Sequence, residues 1–135
     1  MLRLDDEGMC VDGDELRLTM PAAGPYTRLA RVAVTGLATR LGFSFDEAED
    51  LRIAVADVCT KLLVVVPEAE QLDVTFVVGD GHLAIDIAID GSDGTDRQAD
   101  FDEIATQLGD ASVDTIEYLE DHGVIRVTKT HVEED

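Results

Sequence analysis

Asp57 and Lys61 are the residues whose types and spacing first suggest chemistry. A separation of four puts both side chains on one flank of a helix. Taken alone, they make an i, i+4 ion pair on a helix surface, worth about 0.5 kcal/mol. Lys61 carries donors only, so it cannot ligate a cation. A second candidate, Asp90-Gly91-Ser-Asp-Gly94, follows an alternating apolar run. Its composition is also that of an ordinary loop. Other nucleophiles and ligands lack a pattern. His82, His122 and His131 have no metal-binding spacing, and Ser44, Ser92 and Ser112 have no nucleophile-elbow motif. Cys10 and Cys59 form no CxxC or Cys/His set, and Cys59 reads as a small buried residue.

These residues must be positioned by a short series of elements. Glu15 to Met20 alternates polar and apolar, as a half-buried strand does, before Pro21, Gly24 and Pro25 interrupt it. Tyr26, Ala30, Ala33, Leu37 and Leu41 then fall on one helical stripe, ended by Gly42. Ser44-Phe-Asp-Glu47 is a capping box opening a second helix that presents Leu51, Val55, Val58 and Leu62 to a core and runs to about Val65. Residues 72–78 and 82–89 are alternating strands joined by a Gly79-Asp-Gly81 turn. A polar loop over 90–100 leads to a short helix carried by Phe101, Ile104, Ala105 and Leu108. Strands over 112–119 and 124–130 close the chain.

The order β-α-α-β-β-α-β-β predicts an α+β two-layer sandwich: a mostly antiparallel mixed sheet with helices on one face. Residues 1–13 read as a loose acidic segment, 14–131 as a single domain, and 132–135 as an acidic tail.

Composition narrows the function classes. Thirty acidic residues against ten basic ones give a net charge of −20. Such a surface repels phosphate backbones and anionic lipid heads, which argues against direct nucleic-acid or membrane binding. It suits a basic protein partner, although solubility or a salty cytoplasm explains it equally well. No apolar run approaches the roughly 20 residues of a membrane span, and no signal peptide opens the sequence, so the expected location is cytoplasmic. Against this background Arg28, Arg31 and Arg40 stand out as a docking face for an acidic partner, with solvated helix charge as the plain alternative.

The stretch Asp46-Glu-Ala-Glu-Asp-Leu-Arg-Ile-Ala-Val-Ala-Asp-Val-Cys-Thr-Lys61 resembles the "dLrlAvdEacxN" helix of the anti-sigma factor and serine-protein kinase family. That family belongs to the GHKL (Bergerat, HATPase) ATP-binding superfamily. Leu16-Arg-Leu-Thr-Met-Pro-Ala22 matches its opening strand, and "Leu-Gly-Asp" followed by strands ending in Arg-Val-Thr-Lys129 echoes its closing pattern. The Val-Cys-Thr-base ending is closest to divergent actinobacterial members. The resemblance implies a catalytic role for Asp57 at the family's glutamate position and a nucleotide-binding role for Asp57 and Lys61, Lys61 standing where the family's asparagine holds magnesium. It also implies that Asp90, Gly91 and Gly94 correspond to the adenine-binding Asp-x-Gly-x-Gly motif.

Departures from the pattern are specific. Asp57 is one methylene short, the middle glycine falls one place early, and no asparagine occurs anywhere in the chain. No glycine lies between Gly94 and Gly109, so a Gly-x-Gly phosphate cradle is missing there. The expectation is a regulatory protein that binds a sigma factor and is released by an anti-anti-sigma (STAS) partner, with a degenerate ATP site. The alternative is an active ATP-dependent serine-protein kinase acting on that partner. The resemblance leaves room for weak ATP binding and for a homodimer, and the lost asparagine argues against magnesium.

Overall fold

The computed structural model describes residues 13–79, 81–90, 98–108, 113–119 and 123–131. Its elements are β1 (Glu15–Pro21), α1 (Thr27–Arg40), α2 (Phe45–Val65), β2 (Gln71–Gly79), β3 (His82–Ile89), α3 (Gln98–Gln107), β4 (Thr115–Leu119) and β5 (Val124–Thr130). A 3-10 turn over Gly24–Tyr26 precedes α1. The predicted α+β two-layer sandwich is what forms. One five-stranded sheet has the order β1-β2-β3-β5-β4. Its ladders are antiparallel throughout, so the mixed character expected from sequence is not found among the described strands.

Alternation decides which face of the sheet meets the helices. Leu72, Val74, Phe76 and Val78 of β2 lie opposite Ile89, Ile87, Ile85 and Leu83 of β3, and all eight are buried. Leu16, Leu18 and Met20 continue that face on β1, and Val127 and Ile125 continue it on β5. Helices α1, α2 and α3 contribute to the same core cluster. The opposite face is polar. Thr19 Oγ1 donates to Asp73 Oδ1 at 2.6 Å, and Arg17 lies 3.5 Å from the same carboxylate. Arg126 grips Asp86 through Nε and a terminal nitrogen at 2.6 and 2.8 Å.

Helix α2 carries most of the packing because its start is well defined. Ser44 Oγ accepts from the Glu47 amide at 3.1 Å, and Glu47 Oε1 accepts from the Ser44 amide at 2.7 Å, the reciprocal box expected from sequence. Leu51, Val55, Val58 and Leu62 are all buried, as expected. The same Glu47 oxygen lies 2.7 Å from His131 Nδ1, and Phe43 stacks on that imidazole. The end of β5 is thereby clasped to the start of α2, a contact no sequence pattern announced. Ser44→Ala is expected to cost about 1 kcal/mol by leaving an amide of the first turn unpaired. Urea unfolding measures it, and an unchanged midpoint would mean that the His131 clasp alone holds this end.

Helix α1 ends as expected. Gly42 takes φ +87°, with Gly42 N–H donating to Thr39 O and Phe43 N–H donating to Ala38 O. Its buried stripe, however, is Thr27, Ala30, Val34, Leu37 and Ala38, rotated from the expected one. Tyr26 is exposed, and so are Leu29 and Val32, while the small residues Ala30 and Ala38 are fully buried and α1 packs on α2. Helix α3 begins at Gln98, three residues earlier than its apolar residues suggested.

Candidate functional site

Burial of one face of α2 leaves Asp57 exposed and Lys61 half-buried on its flank. The two do not form the i, i+4 ion pair that their spacing allows, and neither has an ion-pair partner among the described residues. A pair with one exposed partner gains little from closing in water. Lys61 lines a cavity of about 330 Å³ between α2 and α3. Thr60, Val64 and Val65 share its α2 wall, and Asp100, Glu103, Ile104 and Gln107 form the α3 wall. Neither Asp57 nor Asp90 lines this cavity.

Asp90 is occupied elsewhere. Its Oδ1 accepts from the Glu70 and Gln71 amides at 2.8 and 2.9 Å, and its own N–H donates to Gln71 O at 3.1 Å. This aspartate ties the end of β3 to the start of β2. Gly91 and Gly94, the other residues expected to contact a nucleotide, lie outside the described residues, as does His122.

Lys61 itself can offer no ligand to a metal ion, and without a metal the cavity around it is poorly suited to a polyanion. A polyphosphate entering the cavity would meet the Asp100 and Glu103 carboxylates beside one ammonium. Among the described residues no three His, Cys, Asp or Glu side chains come together to hold a metal ion. Cys59 offers no alternative chemistry. It is fully buried, and burial pushes its thiol up to about 12, against a lesser pull from Arg31.

A second concavity, of about 410 Å³, lies between α1 and α2 and is lined by Arg28, Arg31, Val32, Thr35 and Arg52. Arg28 and Arg31 were singled out in the sequence, whereas Arg52 was not. Arg52 is held by its own helix: Nε and a terminal nitrogen donate to the Glu49 carboxylate at 2.9 and 3.0 Å. That hydrogen bond holds the Glu49 carboxyl below its ordinary value and raises the Arg52 guanidinium. Arg40 sits apart, in the last turn of α1.

None of the described helices is long and apolar enough to cross a membrane. No family model matches the chain. Among curated proteins, it is similar to the serine-protein kinase RsbW of Bacillus cereus, 25% identical over 114 residues, which cover 82% of this chain and 68% of that protein. The serine-protein kinase RsbW of Bacillus anthracis matches with the same identity and coverage. Across most of its length, then, the chain is distantly similar to serine-protein kinases of the RsbW kind.

Proposed function

We propose that this protein is an anti-sigma-factor-like regulator that works by binding rather than by phosphoryl transfer. Its fold is read as the GHKL type in a divergent, actinobacterial-like form, with residues 14–131 as the working unit and the cytoplasm as its location. It binds a sigma factor and is released by an anti-anti-sigma (STAS) protein. The observation that carries the choice of binding over catalysis is Lys61 sharing its cavity with Asp100 and Glu103. Phosphoryl transfer rests on positioning and on neutralising phosphate charge. Here the position implied for a magnesium ligand offers donors only, and without a bound metal ion the neighbouring acids add negative charge instead of removing it. Asp57 keeps a carboxylate but stands exposed, and Asp90 spends an oxygen on backbone amides. The RsbW proteins are named as kinases, which keeps phosphorylation of the antagonist as the second reading.

Two measurements test this. In calorimetry, ATP should bind weakly, with affinities in magnesium and in EDTA within about threefold of each other, since an ammonium replaces the metal ligand. Submicromolar binding that requires magnesium would restore the kinase reading. In a pull-down, the full chain should retain a sigma factor without nucleotide and release it to a STAS protein. Failure to retain any sigma factor would remove the regulatory reading.

A further inference from the structure

We propose that the cavity between α2 and α3 binds the zwitterion of an aliphatic α-amino acid. Lys61 holds its carboxylate, Asp100 and Glu103 hold its ammonium, and its side chain rests on Val64.

Charge of both signs within one cavity is the first support. Lys61 comes from the α2 wall of this space of about 330 Å³, and Asp100 and Glu103 come from the α3 wall. Lys61 forms no ion pair with either acid, and neither acid has a cationic partner among the described residues. Glu103 Oε1 accepts from Gln107 Nε2 at 3.2 Å, a neutral contact that steadies the carboxylate without cancelling its charge. Asp100, Glu103 and Gln107 stand three and four residues apart, so all three reach the cavity from one face of α3. One ammonium facing two carboxylates is complementary to a molecule that itself carries an anion and a cation.

Apolar surface supplies the second support. Ile104 is buried beneath the same cavity, whereas Val64, in the last turn of α2, is 73% exposed. A ligand that is charge alone, such as an inorganic ion, would leave that surface in water. An aliphatic side chain covers it.

The field of the whole chain supplies the third. A polyanion must enter against a net charge of −20 and then meet two carboxylates. A simple cation is drawn in by that charge but meets Lys61. A zwitterion has no net charge to be repelled, and its internal dipole follows the order of charges across the cavity. The inference stands whether or not the protein regulates a sigma factor, but it shares its cavity with the weak nucleotide site, so ATP is one arm of the test.

The test titrates leucine into the isotope-labelled full chain and follows amide NMR shifts, which report location as well as affinity. Leucine should bind with a dissociation constant on the order of 1 mM, with the largest shifts at Lys61, Val64 and Glu103. Leucinamide lacks the carboxylate, N-acetylleucine lacks the ammonium and glycine lacks the side chain, and each should bind at least about tenfold more weakly. Lys61→Gln, and separately Asp100→Asn with Glu103→Gln, should weaken leucine by about the same factor, whereas Glu117→Gln on β4 should leave it within about twofold. Thermal melts verify that each variant folds. Equal binding of leucinamide overturns the proposal in favour of a basic ligand, equal binding of N-acetylleucine in favour of an anionic one, and equal binding of glycine removes the aliphatic side chain from the site. Leucine that moves none of these amides while ATP stays weak overturns this inference and leaves the proposed function standing. Tight, magnesium-dependent ATP binding without leucine binding overturns both.

Discussion

Phe76→Ala is expected to lower the unfolding free energy by about 3–5 kcal/mol, the usual loss when a buried aromatic leaves a cavity. Phe76 is fully buried on the central part of β2, opposite Leu16 of β1 and Ile85 of β3. Strands on both sides hold the backbone, so the void cannot close by collapse of the sheet. For a domain of this size the melting temperature should fall by about 10–20 °C. Since total stability of a single domain is about 5–15 kcal/mol, the variant should be near the edge of folding. Val77→Ala, one residue along, turns to the polar face and is half-exposed. It should cost under about 1 kcal/mol. Urea and thermal unfolding of both variants give the comparison. Equal losses at the two positions would mean that the face bearing Asp86 and Arg126 is covered rather than open.

That contrast was readable in advance because strand alternation has a period of two, which β2 keeps without a break and β3 interrupts only at the buried Ala84. The capping box at Ser44 and the glycine stop at Gly42 were equally legible, since each is a local device whose partners lie within a few residues. The stripe of α1 was not. Ala30 and Leu37 lie on both the expected and the buried face, but Tyr26, Ala33 and Leu41 stood on the expected stripe while Thr27, Val34 and Ala38 are the residues that complete the buried face. Two contacts formed across the fold were invisible for a different reason. The His131–Glu47 clasp joins residues separated by 84 positions, and the Asp90–Glu70 tie spans 20. Neither leaves a short-range signature. The same holds for Arg52, whose spacing on α2 carries no hint that it faces Arg28 and Arg31 across a groove.

The candidate nucleotide site divides along the same line. The identity of Lys61 was legible, and with it the loss of a metal-ligating amide. That Asp100 and Glu103 stand beside it was not, because the helix that carries them is placed by tertiary packing of Phe101 and Ile104 into the core. The acids from a neighbouring helix are a feature separate from the sequence motif. The weak nucleotide binding proposed above rests on both, and only the motif could be read from the sequence.

Association with a sigma factor is expected to slow about 10- to 1000-fold between low and high salt, the range that electrostatic steering contributes to on-rates. The chain carries −20 net charge, and the proposed partner offers a basic, DNA-contacting surface. At about 0.01 M salt the Debye length is about 30 Å, so attraction reaches well beyond contact; at 1 M it is about 3 Å and the attraction is gone before the surfaces meet. Stopped-flow mixing at several salt concentrations gives the on-rate directly, with the dissociation rate changing much less. A sigma factor whose on-rate ignores salt would remove the steering argument.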